Sequence, residues 1–298
     1  MGGRAAGPAV GLGRSVPRAD GSEGRLEVGP GVAVWFRVVG AGPTVVVVPV
    51  TGNDRDLVGL ASPQRTIVFY DVRGRGRSDA VGEADAGFAS EVADLEAVRQ
   101  AFGIERFSAV GCGYHAGVVT TYALHHREHV DRLVLAAAIP VRSGLRPVPA
   151  RQPSPHQVAH LDQLEAAGLR SSDPASMCRA WREVYVPLLL GRPAAFDQLA
   201  PVCDLANEHP WTVARTLVAV FAQLLDYDWR PALRDFDAPT LVVHGSEDHD
   251  PSEYAVEWVE ALGDGRLLEL DGIGQLPWAE APDRFFDAVG RFLDGESI

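Results

Sequence analysis

The chain reads as an α/β protein: a mostly parallel central sheet flanked by helices, with one inserted helical cap. Three observations predict this. Short β-branched runs without polar alternation, such as 44–50 (TVVVVPV) and 240–244 (TLVVH), are what strands buried on both faces require. Amphipathic helical stretches lie between such runs, the alternation that builds parallel sheets. From about Pro140 to Asp235 the alternation stops and the pattern is helical only.

Taken in order, residues 1–24 carry arginines but no continuous apolar stretch, unlike a secretory leader, and are expected to form a flexible tail. Segments 25–28 and 32–38 suit a hairpin. Strands are expected at 44–50, 66–70, 107–110, 133–136, 240–244 and 266–270. Helices are expected at 88–102, with Val92, Leu95, Val98 and Phe102 on one stripe, and at 117–126, 251–262 and 282–293. The insertion holds candidate helices at 155–167, 174–190 and 211–225, separated by Pro/Gly/Ser-rich breaks. The expected division is therefore a core of 25–140 and 236–298 and a helical cap, or lid, of 141–235. There are no internal repeats.

Composition narrows the function. Of 298 residues, 46% are hydrophobic and 22% charged, enough to bury a large core. Lysine is absent, so all 27 basic residues are arginine. That excludes a lysine Schiff base and a G-K-[ST] phosphate loop. A formal charge of -13 argues against nucleic acid or an anionic membrane as partner, since phosphate binding needs a basic face. No apolar run approaches the roughly 18 residues of a membrane span. Cys112, Cys178 and Cys203 are an odd number at no metal or framework spacing, which suits a reducing cytoplasm. The arginine, alanine, valine and glycine bias fits a GC-rich bacterial genome.

Residues 70–79 (YDVRGRGRSD) follow a buried strand and resemble the D-x-R-G-x-G-x-S-D turn of α/β-hydrolases, particularly the branch of proline iminopeptidases and related esterases. The similarity covers 25–298 and places the insertion where that family has its cap. It implies the α/β-hydrolase fold and a Ser-His-Asp triad on three turns. The stretch matching the G-x-S-x-G nucleophile elbow is Val110-Gly111-Cys112-Gly113-Tyr114-His115-Ala116-Gly117. Three registers put Cys112, Gly113 or His115 at the nucleophile. The spacing to His126-Arg127-Glu128-His129-Val130 and Leu133-Val134-Leu135 selects Gly113, which has no attacking oxygen. In the segment matching G-H-x-P-x-x-E-x-P, here Gly274 to Pro282, the imidazole is replaced by Gln275, a side chain that neither takes nor returns a proton at neutral pH. Gly245-Ser246-Glu247-Asp248 matches the acid turn and places a carboxylate at Asp248.

Two backbone donors would remain for an oxyanion: Tyr114 N–H, and Thr51 N–H in the loop Pro49 to Asp54. Cys112 reads either as a displaced thiol nucleophile or as a buried cysteine. His115 reads either as a proton donor to the pocket or as packing. Asp248 reads either as a general base or as a structural partner hydrogen-bonded to Gln275. Trp278 and the lid aromatics read as core or as ligand contacts.

The resemblance, with serine and histidine both replaced, implies a cofactor-independent, non-hydrolytic cyclase, lyase, isomerase or decarboxylase acting on a small apolar carbonyl metabolite of bacterial specialised metabolism. The alternatives are an inactive pseudo-hydrolase that binds a ligand or a protein, and an atypical esterase. The expected partner is a small-molecule substrate, with no metal or other cofactor; a homodimer is left open.

Overall fold

A computed structural model describes residues 9–10, 20–144 and 151–297. Its sheet contains β1 (Ala9–Val10), β2 (Glu23–Gly29), β3 (Val32–Val39), β4 (Thr44–Val50), β5 (Arg65–Asp71), β6 (Phe107–Cys112), β7 (Val130–Ala136), β8 (Thr240–Gly245) and β9 (Gly265–Leu270). Their order is β1-β2-β3-β5-β4-β6-β7-β8-β9. Only β3 runs antiparallel to its neighbours, β2 and β5; every other pairing is parallel. Two parts of the expected tail therefore belong to the sheet: Ala9–Val10 pair with β2, and β2 begins at Glu23. The rest of that tail lies largely outside the described residues.

The valine run of β4 shows why it lacks alternation. Val45 and Val47 pack into one core with Leu95 and Val98. Val46, Val48 and Val50 pack into a second core, on the other face, with Phe285 and Phe292. Successive side chains point to opposite faces, so a strand covered on both sides must be apolar at every position.

Helices α1 (Phe88–Ala101), α2 (His115–His125), α8 (Ser252–Ala261), α9 (Pro277–Glu280) and α10 (Pro282–Leu293) flank the sheet. Between β7 and β8 lie α3 (Pro155–Ala166), α4 (Leu169–Ser172), α5 (Pro174–Tyr185), α6 (Pro210–Ala222) and α7 (Arg230–Leu233), with no strand of the sheet among the described residues. The run expected as one helix over 174–190 is divided. After Tyr185 the chain tightens into a 3-10 turn, Val186–Leu189, containing Pro187, which supplies no N–H. Cys178 and Cys203 form a disulfide within this insertion, and Cys112 alone is free. Their 25-residue separation carries no motif, so the spacing hid the pair, and cysteine usage no longer argues for a reducing compartment.

The buried face of α1 differs from the expected stripe. It consists of Phe88, Glu91, Asp94, Leu95, Val98 and Ala101, with Val92 only half-buried. Two carboxylates therefore enter the interior.

Candidate active site

The turn from β6 into α2 is shaped by three glycines with different reasons. A Cβ on Gly111 would sit 2.5 Å from the His115 carbonyl oxygen, and one on Gly117 would sit 2.5 Å from Trp229. Both are needed for close packing. Gly113, at the apex, has φ +59° and nothing within 4 Å of where its Cβ would be. It stands at the edge of a cavity of about 330 Å³ that Thr51, Tyr114, His115, Gln275 and Trp278 also line. A second lobe of about 360 Å³ beneath the insertion shares Thr51, Arg75, Leu189 and Trp278 with the first. Leu57, Leu189, Val213, Leu217 and Leu276 make the inner lobe largely apolar.

The expected backbone donors fare differently. Among the described hydrogen bonds Tyr114 N–H has no acceptor, while the neighbouring Gly113 N–H donates to Ala136 O. Thr51 N–H is already taken by Asn53 Oδ1 at 3.0 Å, a side chain on the same cavity wall. Of the two N–H groups, only that of Thr51 is engaged by a side chain of the cavity wall. Burial pushes the Cys112 thiol up to about 12, so it is protonated at neutral pH and a poor nucleophile.

The glycine-rich turn after β5 ties these parts together. Asp71, fully buried, accepts from Gly52 N (2.6 Å), Arg77 N (2.8 Å) and Arg77 Nε (2.6 Å), fixing the Thr51 loop to the turn. Ser78 accepts from Trp35 N, and Asp79 accepts from Ala33 N and Arg25. Arg73 pairs with Asp94 of α1. Arg75 makes a bidentate pair with Glu208 of the insertion at 2.9 and 2.7 Å, the geometry in which guanidinium and carboxylate match best.

The acid turn is separate from the cavity. Asp248 lies after β8 with its side chain 2% exposed, 3.0 Å from His249 Nδ1. It also accepts from Asp250 N. It does not line either lobe, and the expected Asp248–Gln275 hydrogen bond is not among those of the described residues. The carboxylate is occupied within its own turn. Gln275 is held instead through its backbone N–H to Leu189 O (2.8 Å). Glu280 explains the surrounding motif: buried, it accepts from Gly274 N (3.0 Å) and Arg192 N (2.8 Å), holding the loop against the insertion.

A buried polar group behind the apex was not anticipated. Glu91 of α1 accepts from Tyr114 Oη at 3.2 Å, and its other oxygen lies 3.7 Å from His115 Nε2. Burial drives the Glu91 carboxyl up to about 8 despite Arg75, and burial together with Arg75 holds His115 down at about 3. In the outer lobe, burial raises Asp56 to about 6 and lowers Arg182.

A family model described as the alpha/beta hydrolase fold matches residues 52–272. The chain belongs to that family. Among relatives, N-formylmaleamate deformylase of Pseudomonas putida is 25% identical over 276 residues, covering 87% of this chain and 92% of that protein. Pimeloyl-(acyl-carrier protein) methyl ester esterase of Aromatoleum aromaticum is 30% identical over 179 residues, covering 59% and 70%. Among solved structures, proline iminopeptidase of Mycobacterium smegmatis superposes with a TM-score of 0.62 at 19% identity, covering 92% of this chain and 98% of that one. That likeness concerns the fold.

Within this α/β-hydrolase, the residues that motif order singled out around the elbow and the last loop do meet at one cavity: Thr51, Gly113, Tyr114, His115, Gln275 and Trp278. Arg75, Glu91 and Glu208 were missed. Glu91 left a trace, a carboxylate three residues after Phe88 and four before Leu95, on the apolar face of α1. Glu208 left none, because its partner lies 133 residues away. No helix of the described residues is long and apolar enough to cross a membrane.

Proposed function

We propose that this α/β-hydrolase-fold protein is a cofactor-independent, non-hydrolytic enzyme that binds a small, largely apolar carbonyl compound between the insertion and the sheet. It acts by cyclisation, elimination, isomerisation or decarboxylation through an enolate-like anion. The supporting observation is Gly113: the elbow is intact, open space stands above its apex, and the residue there has no oxygen to attack with. Gln275, on the same cavity, cannot shuttle a proton. The Tyr114 N–H would bind the developing oxyanion, a donor of the kind worth about 3 kcal/mol in the transition state. The relatives' names fit a site for carbonyl compounds, since they include an esterase and a deformylase. Redirected chemistry of this type belongs with bacterial specialised metabolism.

The test is pre-steady-state kinetics with p-nitrophenyl acetate. The unmodified protein is expected to give no burst of p-nitrophenolate, and Gly113→Ser with Gln275→His, made together, is expected to gain one. A stoichiometric burst from the unmodified chain would overturn the reading.

A further inference from the structure

The interior behind the apex holds a chain of ionisable groups that is paired almost throughout. Arg73 is matched by Asp94, Arg75 by Glu208, and Tyr114 Oη donates to Glu91. Three buried atoms of the cluster have no hydrogen-bond partner, Tyr70 Oη, Glu91 Oε2 and His115 Nε2, and the last two lie 3.7 Å apart. The glutamate and histidine side chains are 1% and 7% exposed, and His115 is among the residues lining the cavity, two positions from Gly113. Leaving two complementary buried groups unpaired costs stability, and in an unliganded site catalytic hydrogen bonds are often long until a substrate closes them.

We propose that His115, positioned and made basic by Glu91, is the general base of this site, removing a proton from carbon next to a substrate carbonyl while Tyr114 N–H receives the oxyanion. This rests on the non-hydrolytic reading above and adds the residues that move the proton. In the step, His115 Nδ1 takes the proton, and the C–H electron pair becomes the enolate double bond as the carbonyl π pair moves to oxygen. The imidazolium is stabilised by Glu91, to which Nε2–H then donates. The unit takes the part of the serine–histidine pair from the other side of the elbow, using α1 rather than the turns after β8 and β9.

Its pH dependence follows from its surroundings. Glu91 faces Tyr70 from β5, Arg73 and Arg75 from the turn, Asp94 from its own helix, and Tyr114 and His115 from the elbow; Glu208 neutralises Arg75. His115 alone, held near 3, is a weak base. An ionised Glu91 strengthens it, and burial delays that ionisation to about pH 8. Catalysis should therefore rise with pH and level off above about 8.

The experiment uses the full chain and 5-nitrobenzisoxazole, an apolar carbon acid whose elimination needs only a base. The C3 proton leaves to the base, the C3–H pair completes the nitrile, and the N–O bond breaks to give the cyanonitrophenolate. We expect saturable turnover above the buffer rate, rising about tenfold per pH unit below a midpoint near pH 8. His115→Gln should lose at least about 100-fold, the usual worth of a general base. Glu91→Gln should lose the pH-dependent limb, while Glu91→Asp keeps it. Absence of turnover in the unmodified protein, or a pH-independent rate, overturns the inference without needing any variant to fold. Turnover that survives in both His115→Gln and Glu91→Gln also overturns it, yet leaves the non-hydrolytic reading standing. That reading fails separately, by an ester burst.

Discussion

The apex of the β6–α2 turn is a glycine in the left-handed region of backbone space, with open space where a Cβ would stand. Gly113 holds φ +59° without strain; a residue with a Cβ pays about 1 kcal/mol there. Gly113→Ala should therefore lower stability by about 1 kcal/mol in urea melts, with no steric penalty, because the space above is open. Glu91 carries a second expectation. Its folded-state value near 8 exceeds 4.5, so the native state binds more protons than the unfolded one between those values, and stability falls as pH rises through that window. His115 works in the opposite direction below 6.5 and is silent above it. Between pH 6.5 and 8, Glu91→Gln should gain about 1.5 kcal/mol on the unmodified protein, measured by denaturant titration at both pH values. Equal pH slopes for the two proteins would show that Glu91 ionises normally. Motif order drew attention to Gly113, Tyr114 and Gln275, which line one cavity. It did not show the Glu91–His115 approach, which arises only when α1 packs on the elbow.

At the scale of elements, the turn works because strand and helix nearly touch. Gly111→Ala would put a Cβ 2.5 Å from the His115 carbonyl, against backbone that cannot yield. We expect a loss of about 3 kcal/mol, clearly more than for Gly113→Ala, by the same urea melts. Strands were legible because burial on both faces forces uninterrupted apolar runs, as in β4. The buried face of α1 was less so: a stripe drawn through Val92 fits helical periodicity as well as one through Glu91, and the second is the one observed, with Asp94 on Arg73 and Glu91 on Tyr114. The division of 174–190 at Val186 follows the same pattern, since an apolar stretch with one proline fits both a helix and a tight turn.

Across the whole molecule, the insertion is fastened over the sheet by interactions that no local pattern announces. Arg75 reaches Glu208, Arg192 N–H reaches Glu280, and Gln275 N–H reaches Leu189 O. Removing one partner of the buried ion pair leaves a charge without compensation, so Glu208→Gln should cost about 3–5 kcal/mol. Replacing Arg75 and Glu208 together by Met should recover most of it, as thermal melts of the three variants would show. Fold class was readable from alternation, whereas the tie between Arg75 and Glu208 depends on a contact more than a hundred residues apart.

The most direct test of the account is intact-mass spectrometry after exposure to a fluorophosphonate, which labels any activated oxygen nucleophile in such a cavity. The account predicts an unchanged mass for the folded protein; a single stoichiometric phosphonyl adduct mapping to the cavity wall would contradict it.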